Sequence, residues 1–118
     1  MTVRRIVSNI AADSVEKVKE FYSDLFGLEA IMDFGWIATL TSHETAPVLM
    51  SIASEGGSGT PVPDMSIEVD DVDAVYLRAK ALGHEIKYEL VDEPWGVRRF
   101  YVSDPTGKLL NILSHKEN

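Results

Sequence analysis

With 118 residues, of which 45% are hydrophobic and 25% charged, the chain has the length and composition of a single globular domain. The formal net charge of -8 argues against nucleic acid as a partner, because phosphate binding requires a positive face; it would instead attract a small cation or simply maintain solubility. The absence of cysteine excludes disulfides and thiolate metal sites, and without a signal-like or membrane-spanning apolar run the sequence predicts a cytoplasmic protein with no membrane contact.

The first half of the chain begins with a predicted strand at Arg5–Ala11, followed by Asp13 as the predicted N-cap of a helix. Apolar residues recur along this helix at helical spacing and are predicted to form one stripe: Val15, Val18, Phe21, Tyr22, Leu25 and Phe26. Three short strands follow, at Glu29–Asp33, Trp36–Thr41 and Val48–Ala53.

The second half repeats this order. The segment Asp70–Val75 is similar to Asp13–Val18, and each follows a strand-like run and opens a helical pattern. The two helices are predicted to end at Gly27 and Gly83, since glycine adopts the left-handed conformation found after a helix. The remaining predicted strands are Met65–Val69, Glu85–Val91, Val97–Ser103 and Lys108–Ser114. The pattern is therefore βαβββ twice, which predicts an α+β fold.

A Gly- and Ser-rich stretch at residues 55–61 separates the two halves. It is too short to divide two independent domains, so the chain is predicted to be one domain, with modules at about 1–54 and 62–118 joined by this hinge. A flexible hinge here would also permit domain swapping between protomers.

Three motifs occur in the order and spacing of a known family. The segment Glu20–Leu28 carries a Phe-Tyr pair and ends in Gly-Leu, Glu68–Asp73 opens the second module, and Asp104–Leu110 begins with an Asp-Pro-Thr-Gly turn. Together they resemble the vicinal oxygen chelate superfamily, which includes glyoxalases, bleomycin resistance proteins and extradiol dioxygenases. The resemblance implies two βαβββ modules whose mostly antiparallel sheet curls around a cavity.

Metal-dependent members of this family hold their ion through histidine, glutamine and glutamate on the first and last strands of each module. The resemblance places these positions at Val7, Ser51, Asp64 and Asn111. Divalent ions need several oxygen or imidazole donors, and valine supplies none. We therefore predict no metal and no other cofactor, although Asp64 and Asn111 could hold a weakly bound divalent ion together with waters.

The segment Glu93–Phe100 resembles the Pro-Trp-Gly segment that precedes the penultimate strand in bleomycin-binding relatives. Those relatives bind their ligand without metal or chemical change and are domain-swapped dimers. Pro94 and Gly96 would fix the backbone around Trp95, whose ring could stack on a planar heterocycle or a cation, or else pack over the end of a sheet. Trp36 could add a second aromatic wall or belong to the core.

A final hairpin turning at Pro105-Thr106 would place Phe100 opposite Asn111. Because cross-strand partners share a face, Arg98 and Phe100 are predicted to line the cavity with Asn111, and Tyr101 to point towards the helices. A slip of one residue would exchange the two faces. The candidate ligand-binding residues are Val7, Trp36, Asp64, Trp95, Arg98, Phe100 and Asn111.

The sequence thus favours a homodimeric, metal-independent protein that binds a small cationic or aromatic molecule, an antibiotic among the candidates. Two enzymatic alternatives stay open. One is a lyase, isomerase or transferase that holds a divalent ion through positions other than those expected. The other is a metal-free enzyme with Asp64 as general base, although the sequence contains no nucleophile–base constellation that supports it.

Overall fold

The computed structural model of the chain describes residues 1–43 and 49–116. Within them, the strands are β1 (Val3–Ala11), β2 (Glu29–Asp33), β3 (Ile37–Thr41), β4 (Leu49–Ala53), β5 (Met65–Val69), β6 (Ile86–Asp92), β7 (Val97–Ser103) and β8 (Leu109–His115), and the helices are α1 (Val15–Phe26) and α2 (Val72–Ala81). The βαβββ order occurs twice, and the predicted α+β fold is confirmed. Val48, the predicted first residue of the fourth strand, lies outside the described residues.

The chain divides into two compact units. The first comprises residues 7–62, and the second comprises residues 1–6 with 63–118, so that β1 begins in one unit and continues in the other. Neither α1 nor α2 is long and apolar enough to cross a membrane, and no other helix occurs in the described ranges.

In the first unit the strand order is β2-β3-β4-β1, with β3 antiparallel to both its neighbours and β4 parallel to β1. The helix α1 covers one face of this sheet. Its Val15 packs with Ala38, Leu40 and Ile52, the last three of which are closed to solvent. Burial of these apolar side chains is the main force that holds α1 on the sheet.

The predicted apolar stripe of α1 is only partly buried. Val18 and Tyr22 pack against the core, whereas Phe21, Leu25 and Phe26 are 56%, 61% and 62% exposed. The helix contacts β3 and β4, and it buries only the side that faces them. Periodicity identified the apolar stripe but overestimated how much of its width the sheet covers.

The ends of both helices follow general capping rules. Ser14, rather than the predicted Asp13, is the N-cap of α1, and its side chain accepts a hydrogen bond from the Lys17 N–H. Gly27 ends the helix with a φ of 70°, and Gly83 has a φ of 78° just after the end of α2. The predicted helix ends at these two glycines are confirmed.

In the second unit the strand order is β5-β8-β7-β6, with β8 parallel to β5 and antiparallel to β7. The helix α2 covers one face, where its Val72 and Ala79 form a core with Val69, Phe100 and Ile112. Phe100 is fully buried, and its ring meets that of Tyr76 edge to face at 5.2 Å between centroids. The opposite face of this sheet carries the candidate site.

The β7–β8 register differs by one residue from the predicted one. Ser103 lies opposite Leu109 and Tyr101 opposite Asn111, because the Asp104 N–H bonds to the Lys108 carbonyl and lengthens the turn by one residue. Gly107, with a φ of 85°, accommodates the turn. The predicted faces are therefore wrong, since side chains alternate along a strand.

Three side chains lie on the face of β7 opposite to the predicted one. Phe100 faces α2 instead of the cavity. Arg98 also lies on the helix side, where it pairs with Asp73 of α2 at 2.9 Å. Tyr101, predicted to face the helices, shares the opposite face with Asn111.

Candidate functional site

The face of the second unit's sheet opposite α2 brings together Ser66, Tyr88, Arg99, Tyr101 and Asn111, and is called here the Asn111 face. Asn111 lies opposite Ser66 in the β5–β8 pairing and opposite Tyr101 in the β7–β8 pairing. Tyr88 of β6 lies opposite Tyr101, and their ring centroids are 5.3 Å apart. Four neighbouring strands, β5, β8, β7 and β6, thus supply aromatic and polar side chains to one surface.

Asn111 is the polar centre of this surface. Its side chain is buried, at 8% exposure, and its Nδ2 donates a hydrogen bond to the Ser66 Oγ at 3.1 Å. Its Oδ1 is closed to solvent and has no hydrogen-bond partner among the described residues. A buried acceptor without a donor costs about 1–3 kcal/mol of stability, and a ligand N–H placed there would remove this cost.

Beside Asn111 lies a buried ion pair. The Arg99 Nη2 and Nε contact the Glu93 Oε2 at 2.7 and 2.8 Å, and the two side chains are only 3% and 4% exposed. Tyr88 donates its hydroxyl to the same Glu93 oxygen, and the Arg99 Nη1 donates to the Tyr101 hydroxyl oxygen. This network fixes the Tyr101 ring next to Asn111.

Three aromatic rings surround the Arg99 guanidinium. The centroids of Tyr88, Trp95 and Tyr101 lie 5.2, 5.0 and 5.0 Å from its central carbon, within the range of cation–π attraction. The sequence leaves open whether Trp95 stacks on a ligand or packs over the end of a sheet, and one face of its ring meets a cation of the protein itself. The cluster therefore forms a rigid wall of the site, and the Arg99 guanidinium occupies the space between its rings.

Sequence reasoning missed Glu93, Arg99, Tyr88 and Tyr101 as members of this site. The signal in the sequence was the Pro94-Trp95-Gly96 turn between Glu93 and β7. Across this turn the Glu93 N–H donates to the Val97 carbonyl, so β7 starts directly after it. With β7 starting there, Glu93 and Arg99 become diagonal neighbours across two strands.

Of the other predicted residues, Val7 and Trp36 belong to the first unit, and Asp64 directly precedes β5 in the second. Val7 is buried in β1 of the first unit, and Trp36 lies just before β3, where its carbonyl accepts a hydrogen bond from the Ser54 N–H. Asp64 is exposed, and its Oδ2 accepts a hydrogen bond from the Leu109 N–H at 2.8 Å, which anchors the start of β8.

The donors at the four positions predicted from the family resemblance fit a divalent cation poorly. In the first unit, Val7 has no donor atom, and the buried Ser51 hydroxyl is hydrogen-bonded to that of Thr39 at 2.7 Å. In the second unit, Asp64 bonds to the backbone of β8 and Asn111 donates to Ser66. No group of three or more His, Cys, Asp or Glu side chains in the described ranges is arranged as a metal site.

Comparison with known proteins places the chain in a family. Residues 3–112 match the family model of the Glyoxalase/Bleomycin resistance protein/Dioxygenase superfamily. No curated protein sequence gives a significant match.

Several solved structures have a similar fold. One is described as an NAD-dependent benzaldehyde dehydrogenase from Legionella pneumophila, with a TM-score of 0.78, 16% identity, and 95% of this chain and 100% of that chain covered. A superfamily member from Vibrio splendidus 12B01 has a TM-score of 0.66, 19% identity, and coverage of 97% and 99%. A methylmalonyl-CoA epimerase bound to methylmalonyl-CoA and NH4+ has a TM-score of 0.70, 19% identity, and coverage of 97% and 96%. At these identities the likeness shows the fold alone.

Proposed function

The chain belongs to the Glyoxalase/Bleomycin resistance protein/Dioxygenase superfamily, and from this premise we propose that it binds a small organic cation without a metal ion. The observation that carries the proposal is the buried, unpartnered Oδ1 of Asn111. A ligand N–H would donate to this oxygen, while the Tyr101 ring beside it would provide apolar contact.

The charge of the chain supports a cationic ligand. A net charge of -8 raises the local concentration of small cations around the protein. Ammonium and guanidinium groups also carry N–H groups that can donate to the unpartnered Asn111 Oδ1. A hydrogen bond from a charged donor is about twice as strong as one from a neutral donor. The Arg99 cluster already holds a cation, so the ligand is expected at Asn111 and not inside that cluster.

An antibiotic of the bleomycin type is the first ligand to test, and binding would confer resistance by sequestering it. Calorimetric titration of metal-free bleomycin into wild type should give saturable heat. Asn111→Leu should weaken binding about 10- to 100-fold, the equivalent of one hydrogen bond of about 1.5–3 kcal/mol to a charged donor.

Asn111→Asp is the matched variant, because it keeps an acceptor oxygen at the same position and adds a negative charge. It should bind the cation at least as tightly as wild type. Equal affinity of wild type and Asn111→Leu would rule out this site, and absence of heat with wild type would exclude bleomycin as the ligand. Asn111→Leu should unfold at a urea concentration close to that of wild type, because the loss of the bond to Ser66 is offset by removal of the unpaired buried Oδ1. Asn111→Asp should unfold at a lower urea concentration without ligand, because it buries a charge that has no partner.

The metal-free part of the proposal has its own test. Protein purified without chelators should contain well under one equivalent of divalent metal by elemental analysis, because Val7 and Ser51 offer poor donors. A stoichiometric metal would instead support the metal-dependent lyase, isomerase or transferase.

We also propose that the protein acts as a homodimer in the cytoplasm. A chain without cysteine suits a reducing compartment. The exposed Phe21, Leu25 and Phe26 of α1 give an apolar surface that a second copy could cover.

A further inference from the structure

A cavity separate from the Asn111 face lies at the carboxyl ends of β5 and β8 in the second unit. Its volume is about 190 Å³, and it is lined by Arg4, Glu68, Val69, Asp70, His115 and Lys116. None of these residues belongs to the Asn111 face as defined above. His115 is four strand positions beyond Asn111, or roughly 13 Å along β8.

The Glu68 carboxylate in this cavity is already neutralised. Its Oε1 contacts the Arg5 Nε at 3.0 Å, and its Oε2 contacts the His115 Nδ1 at 2.5 Å. The side chain is only 15% exposed, so little of it is left to interact with a ligand. Glu68 therefore acts as a buried counter-ion that holds Arg5 and His115 in place.

The second carboxylate, that of Asp70, is bonded to the backbone. Its Oδ1 accepts a hydrogen bond from the Thr2 N–H at 2.8 Å, and this bond lowers the pKa of Asp70. The Asp70 N–H in turn donates to the Thr2 carbonyl. The pair of bonds fixes the start of the chain along one side of the cavity.

The cationic side chains are less fully engaged. The Arg4 guanidinium makes no hydrogen bond or ion pair within residues 1–43 and 49–116. The Lys116 Nζ contacts the exposed Asp92 carboxylate at 3.2 Å. The Asp70 carboxylate stays ionised and lies near the N-terminal ammonium, which also lowers its pKa, so the Arg4 guanidinium is the charge of the lining left without an ionic partner in the described part of the chain.

We propose that this cavity binds a small oxyanion, the phosphate or carboxylate group of a compact metabolite, with Arg4 as the principal ligand-binding side chain. The planar guanidinium donates two parallel hydrogen bonds to such groups, and Lys116 adds a second positive charge. The volume is below the several hundred Å³ of sites for drug-sized ligands, so a small anion fits and a large one does not.

The test is a titration of inorganic phosphate into the full chain, followed by NMR of the arginine Nε–H groups and of the Glu68 and Asp70 amides. Ionic strength is held constant with chloride, so that simple screening produces no change. Saturable shifts are expected with a dissociation constant of about 1 mM, the value for roughly two charge-assisted hydrogen bonds. A parallel titration with acetate distinguishes a phosphate site from a carboxylate site.

Arg4→Gln should weaken phosphate binding at least 10-fold. Arg78→Gln removes the same charge from an exposed position of α2 in the same unit and should leave binding unchanged. Equal weakening by both variants would show a non-specific effect of charge and overturn the proposal, as would the absence of saturable shifts in wild type. Asn111→Leu should bind phosphate like wild type, which keeps this result separate from that of the cation site.

Discussion

The ion pair between Glu93 and Arg99 is closed to solvent, so water cannot hydrate either charge when the other is removed. Arg99→Met would leave the Glu93 carboxylate buried without its cationic partner. Breaking a buried pair by removal of one partner costs about 3–5 kcal/mol, so the free energy of unfolding in urea should fall by that amount.

Arg98→Met is the control for this change. Arg98 is the preceding residue on the same strand and pairs with Asp73 and Asp92 near the surface, where such pairs contribute about 0–1 kcal/mol. The two variants lose the same charge from opposite faces of β7. A similar loss of stability in both would contradict the structural role assigned to the buried pair.

The position of Asn111 could be predicted from the sequence, but the identity of its neighbours could not. Counting from the Asp104-Pro105-Thr106-Gly107 turn placed Asn111 on the last strand, where the structure also has it, because sequence spacing along one strand is fixed. Which residues of β7 share its face depends on the length of that turn, and one extra residue exchanged Phe100 for Tyr101. Arg99 was missed because a charged residue is usually exposed, and its burial depends on the ion pair with Glu93, which sequence spacing does not reveal.

At the scale of the element, the start of α1 gives a direct test of the corrected cap. Ser14→Ala should lower the free energy of unfolding by about 0.5–2 kcal/mol, because the Lys17 N–H loses its side-chain acceptor. Asp13→Ala should change it by less than about 0.5 kcal/mol, since Asp13 is exposed and outside the cap. The reverse order in urea denaturation would restore Asp13 as the cap.

The bounds of several strands were predicted better than the burial of the α1 face. The bounds of β2, β5 and β7 coincide with those predicted from apolar runs and turn residues. For α1 the period of the apolar residues was correct, yet Phe21 and Leu25 are exposed. A helical period gives the direction of an apolar face, whereas the strands beneath it decide how much of that face is covered.

At the scale of the whole molecule, four aspartates make the stability of the fold depend on acid pH. Hydrogen bonds lower the pKa of each below its ordinary value of 3.8. The main donor is Lys19 for Asp33 and the Thr2 N–H for Asp70. It is Lys116 for Asp92 and the Thr106 side chain for Asp104. Since the folded pKa lies below the unfolded one, this contribution is complete above pH 3.8 and is lost as the pH falls through the folded values. The urea midpoint should therefore decrease below about pH 4, and less so in high salt because these groups are exposed.

Asp104→Asn isolates one member of this set. At pH 7 the variant should be less stable than wild type, because the ionised carboxylate accepts bonds from Thr106 and Lys108 more strongly than a neutral amide does. The difference should shrink as the pH falls below 3.8 and disappear once the pH passes the lowered pKa of Asp104 in the folded chain, where the wild-type side chain is neutral as well. A difference that stays constant with pH would show that the charge of Asp104 does not contribute to the turn.

The exposed apolar side of α1 makes the proposed homodimer testable. Light scattering of wild type should give twice the chain mass of 13.1 kDa. If a second copy covers this surface, Leu25→Glu should give a monomer, since a charge would be buried at the interface without a partner.

Leu77→Glu places the same charge on α2, at a side chain that is 66% exposed, and should leave the dimer intact. Because Leu25 is itself 61% exposed, Leu25→Glu should not unfold the chain. A wild-type monomer would reject the dimer, whereas dissociation by Leu77→Glu alone would move the interface to α2.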